Sequence, residues 1–97
     1  MADRWQTLSF APDVVMQVIN GEALILKLHE EDVFSLNETG ARVAQLIEQR
    51  RSLDEVIDTL TDEYEIAREQ IEREVNALVQ ALVSKGLVVR RESQGLE

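Results

Sequence analysis

The sequence has no cysteine, a single proline, four glycines and only 4% aromatic residues. Without cysteine, disulfides and thiolate metal sites are excluded, which suits a reducing compartment. The glycines are too scattered for a phosphate-cradling loop, and Gly40 stands alone. With so few aromatics, the core has to be aliphatic. No run approaches the ~18 apolar residues that span a bilayer. The opening MADRWQTLSF lacks the apolar stretch of a signal peptide. A cytoplasmic protein is expected. Basic residues are scarce too: ten against nineteen acidic ones, a formal net charge of −9. Such a chain repels phosphate backbones, so nucleic acid is not expected as a partner, whereas a cationic partner would be steered in.

What is present fits one small domain of 97 residues with 44% hydrophobic content. At this size the stability margin is thin, and a bound partner adds to it. VVMQVI (14–19) and EALILKL (22–28) read as strands around Asn20-Gly21. Asn-Gly is the preferred filling of a two-residue type I′ turn, because both positions need positive φ. That loop sets Val18 opposite Ala23, Met16 opposite Ile25 and Val14 opposite Lys27. HEED (29–32) is a polar turn, and VFSL (33–36) returns as a third antiparallel strand.

Alternation then gives two apolar faces. Val15, Ile19, Leu24, Leu26 and Leu28 share one; Val14, Met16, Val18, Ala23 and Ile25 share the other. One packs on helices. The second needs a cover, either Trp5, Leu8 or Phe10 from the N-terminal segment in a monomer, or a second subunit in a homodimer.

Three helices follow. Asn37 caps the first, which runs to about Gln49 and ends beside Arg50-Arg51. Ser52 and Glu55 form a capping box for the second. The third starts near Ala67 without a good cap and stops at Gly86. Residues 87–89 read as a short final strand. On the third helix Ile71, Val75, Leu78 and Leu82 form a narrow stripe, and Val79 and Val83 lie to one side of it. Val79 and Val83 either widen the core or line a groove. The whole is an α+β, small winged-helix-like domain, with a three-stranded antiparallel sheet followed by three helices.

PDVV (12–15), the Asn20-Gly21 turn, VFSLNETGARV (33–43) and GLV (86–88) together resemble the PqqD-like family, which includes pyrroloquinoline quinone biosynthesis protein D and stand-alone relatives. The resemblance covers about residues 10–90 of a single domain, 1–97, and LNETG is its most specific block. That block looks closer to the wider stand-alone group than to the dedicated quinone-pathway protein. The resemblance implies a peptide chaperone, a recognition element that holds the leader of a ribosomally made precursor and presents it to a modifying enzyme, often a radical SAM enzyme. The leader is expected to add as a strand beside Asp32, Val33, Phe34, Ser35 and Leu36, against Val75, Val79 and Val83.

The residues themselves suggest no catalysis and no cofactor. His29 with Glu30, Glu31 and Asp32 is a solvated turn, since consecutive residues rarely converge on one ion. No nucleophile has a base partner. A DNA-binding winged helix is the competing class, together with a plain dimerisation module. The third helix sets Glu65, Glu69, Glu72 and Glu74 against Arg68 and Arg73, which is the wrong balance for a recognition helix.

Overall fold

The computed structural model describes residues 6–92. Chain order is β1 (Gln6–Phe10), β2 (Val14–Ile19), β3 (Glu22–Lys27), β4 (Val33–Leu36), α1 (Glu38–Glu48), α2 (Leu53–Glu63), α3 (Arg68–Ser84) and β5 (Val88–Glu92). The architecture is α+β, with the antiparallel sheet β2-β3-β4 followed by three helices. Asn20 and Gly21 take φ of 54° and 81°, as a type I′ turn requires. The expected register follows, with Met16 opposite Ile25 and Val18 opposite Ala23. In the next pair Ile25 faces Phe34 and Ala23 faces Leu36.

β1 was not among the expected strands. It pairs with β5 as a separate two-stranded ribbon, Leu8 opposite Arg90 and Phe10 opposite Val88. Thr7 also bridges to Ser52 at the start of α2. The ribbon therefore closes the helical side of the molecule. Leu8 is fully buried in the main core and Phe10 packs against it. These two residues do not cover the outer sheet face, which corrects the expectation above; Trp5 lies outside the described residues. Val15, Ile19, Leu24 and Val33 are exposed on that face, as is Leu28 just beyond β3.

The core lies between the inner sheet face, the ribbon and the helices. Ile25, Val43, Ile47, Leu60, Ile71 and Leu87 are among its members. It is aliphatic throughout, as the composition demands. Surface ion pairs fix the helices laterally. Arg42 of α1 grips Glu63 of α2 through Nε (2.9 Å to Oε1) and Nη2 (2.6 Å to Oε2). That hydrogen bond holds the Glu63 carboxyl below its usual range. Arg68, at the start of α3, reaches back to Asp58 of α2 at 2.6 Å. Such exposed pairs are screened by solvent and add little to stability.

α1 and α3 stop by the same device. After α1, Arg50 N–H donates to Ile47 O and Arg51 N–H to Leu46 O. After α3, Gly86 N–H donates to Val83 O and Leu87 N–H to Leu82 O. These are Schellman motifs, and they need positive φ at the residue after the cap. Gly86 supplies it at 76° without strain, whereas Arg50 holds 64° with a side chain in place. Arg50→Gly is therefore expected to raise the unfolding free energy by about 0.5–1 kcal/mol, read as a higher urea midpoint at unchanged m-value.

Candidate functional site

β4 runs into α1 with one residue between them. Asn37 is extended, and its side-chain oxygen accepts from Gly40 N–H at 2.9 Å, so it ends the strand and caps the helix at once. Gly40 is buried, and a Cβ there would stand 3.0 Å from the Leu36 Cβ. The asparagine and glycine of LNETG thus have separate tasks. One satisfies the first turn of α1, and the other lets that turn lie directly on the end of β4.

β4 is the edge of its sheet. Which of its backbone groups are unpaired follows from the register. In an antiparallel ladder, alternate residues bond to opposite neighbours. Leu28 N–H donates to Asp13 O, on the β2 side, so Leu26, Leu24 and Glu22 face β2 as well. Ala23 and Ile25 must then bond towards β4, through their partners Leu36 and Phe34. The N–H and C=O groups of Val33 and Ser35 consequently point outward from the edge. The side chains of Phe34 and Leu36 remain on the inner face, half-buried against the core.

Beside this edge lies a cleft of about 390 Å³. Ser35, Leu36, Asn37 and Gly40 form one wall, Ile71, Glu74, Val75 and Leu78 of α3 the other, and Val43 and Leu60 the apolar floor. α3 packs on α2 and β5, and α1 packs on β3 and β4, which leaves this space between β4 and α3. The cleft is apolar at depth, with Glu74 on its rim.

Of the residues singled out in the sequence, Ser35, Leu36 and Val75 line the cleft. Val33 and Phe34 belong to β4, and Asp32 is exposed in the turn just before it. Val79 does not belong to the cleft wall. It is 0% exposed and sits in the core. The reason is the ribbon: α3 packs against β5 as well as α2, so its buried stripe is wider than a three-helix arrangement would need. Val83 is 36% exposed and is not among the lining residues. Leu78 takes the place expected for Val79. By periodicity it belongs to the core stripe, and only the gap beside β4 reveals it as a wall.

Two lysines stand at the opposite end of the β4–α3 junction, near the exposed Glu30, Glu31 and Asp32 that precede β4. Lys85, the C-cap of α3, places its ammonium 4.9 Å from the centre of the Phe34 ring. The Lys27 ammonium reaches the same corner, 3.0 Å from where a Cβ on Gly86 would stand. Like Arg50, Arg51, Arg73, Arg90 and Arg91, neither lysine forms an ion pair among the described residues.

A family model described as Coenzyme PQQ synthesis protein D (PqqD) matches residues 22–88. The chain belongs to the PqqD family. The PqqD match begins at β3 and ends at the first residue of β5, so it contains the strand edge, the capping junction and all of α3. Among solved structures, the chain is similar to "TbiB1 in Complex with the TbiA(beta) Leader Peptide", at 27% identity and a TM-score of 0.78, over 92% of this chain and 98% of that one. It is also similar to "Lasso peptide synthetase B1 complexed with the leader peptide", at 27% identity and a TM-score of 0.76, over 84% and 96% of the two chains. No curated protein matches the sequence. Among the described residues, no helix is long and apolar enough to cross a membrane.

Proposed function

We propose that this PqqD-family chain is a non-catalytic recognition domain for the leader of a ribosomally made precursor peptide. It holds the leader as an added strand on β4 and presents the rest of the precursor to a separate modifying enzyme, of the radical SAM class or another. The observation that carries this reading is the pairing of an open edge with a cleft. The outward groups of Val33 and Ser35 offer backbone bonds to any extended chain, which gives affinity without a sequence requirement. The cleft takes alternate side chains of that chain, which gives selection. The two similar structures, both complexes with leader peptides, support the same reading.

Two local features favour β4 over the other open edge, β2. β4 faces a cleft with an apolar floor. It is also held at its end by the Asn37 cap and the close Gly40 turn, so little order is lost when a peptide binds. Pathway assignment, including pyrroloquinoline quinone synthesis, depends on which leader binds.

The test is titration of isotope-labelled protein with leader peptides encoded beside this gene. Amide shifts are expected at Val33, Ser35 and Leu36 and along the cleft wall from Ile71 to Leu78, with β2 unmoved. Shifts centred on β2, or binding to duplex DNA in place of peptide, would refute the proposal.

A further inference from the structure

We infer that the Lys27–Lys85 corner selects an acidic side chain in the bound leader, at a fixed distance from the apolar residue that fills the cleft. This rests on the strand-addition reading above and specifies the peptide class for the same site.

The Lys85 ammonium lies at the Val33–Phe34 end of the binding edge, and that of Lys27 lies beside Gly86, the residue after Lys85. Lys85 lies over the Phe34 ring, and Lys27 lies against Gly86, at the turn that ends α3. Neither ammonium has a carboxylate partner among the described residues, so both are available to a bound chain. The other end of the site carries a carboxylate and no cation among its lining residues. Glu74 stands on the rim of the cleft beside Asn37 and Thr39. The Val33 end is mixed in sign, because the exposed Glu30, Glu31 and Asp32 just before β4 stand there with the two lysines, so an acid is favoured only where it reaches the ammonium groups themselves. An acidic residue near Glu74 is repelled, and the same residue near the lysines is attracted.

The spacing follows from geometry. Leu78 in the cleft wall and Lys85 are seven residues apart on α3, about 10 Å of helical rise. An extended peptide covers that distance in about three residues. Its side chains alternate between faces, so only even separations keep both residues on the inner face with Phe34 and Leu36. The acidic residue should thus stand two or four positions from the apolar anchor, towards the Val33 end. If the peptide runs antiparallel to β4, the acid is C-terminal to the anchor; if parallel, N-terminal.

The experiment is a display selection of random twelve-residue peptides on the immobilised chain, repeated with the double variant K27E/K85E and the neutral variant K27Q/K85Q. Circular dichroism checks that each variant is folded. Peptides enriched on the native chain are expected to share an acid two or four residues from an apolar residue. One such peptide should bind K27E/K85E about three- to tenfold more weakly, K27Q/K85Q less weakly than that, and recover on K27E/K85E when its acid is replaced by lysine. The preference should shrink as salt is raised. Enriched peptides without the acid, or with one that is insensitive to both lysine variants, would overturn the inference and leave the peptide-binding reading standing. No enrichment of any peptide would overturn both.

Discussion

Ser35→Pro is expected to weaken leader binding by about ten- to a hundredfold while the domain stays folded. The Ser35 N–H points away from β3, so proline removes no ladder bond within the sheet. It removes the donor that an added strand would use. A peptide carbonyl then loses its partner, at a cost of about 1–3 kcal/mol. Edge strands accept proline when the lost N–H faces solvent, and Phe34 before it is already extended, as a residue preceding proline prefers. Phe34→Pro is the control, because its N–H bonds inward to β3 and its loss should destabilise the fold. The measurement is a peptide titration by calorimetry alongside thermal melts. Unchanged affinity in folded Ser35→Pro would mean that the peptide does not pair with this edge.

Val79→Asp is expected to abolish folding or lower stability by about 3 kcal/mol or more. Val79 is fully buried among aliphatic side chains, and a carboxylate there has no partner. For a domain whose total stability is about 5–15 kcal/mol, that is a large share. Leu78→Asp, one residue earlier, should keep the fold and lose peptide affinity, because Leu78 opens to the cleft. Far-ultraviolet circular dichroism separates the two variants. A stably folded Val79→Asp would contradict the packing of α3 against the ribbon.

The difference between Val79 and Leu78 marks how far the sequence could be read. The hairpin was legible because Asn20-Gly21 fixes both turn type and register. The helix boundaries were legible because Asn37, Ser52 and Gly86 are chemical stops and starts. β4 running straight into a capped helix was legible from the alternation of VFSL and from Asn37, and its proposed binding role enters only through the family resemblance. What could not be read was pairing at long range. β1 is a short mixed stretch before Pro12, and only β5, some eighty residues later, makes it a strand. Without that ribbon the width of the buried stripe on α3 stays open, and Val79 can be either core or groove. The lysine corner escaped for the same reason. Lys27 and Lys85 are unremarkable in sequence and meet only when α3 is laid beside the sheet.

The turn at Gly86 ties two properties of the chain together. Its left-handed backbone ends α3, and its bare Cα leaves the space into which Lys27 extends. Any side chain there would both strain the helix stop and push the ammonium aside. Drift at this position therefore cannot change the fold and the charge selectivity separately. A descendant that came to serve a different precursor would have to alter Lys27 or Lys85 themselves, and would keep the glycine. Divergence among related chains would then be concentrated at the two lysines, with the turn between helix and ribbon held constant.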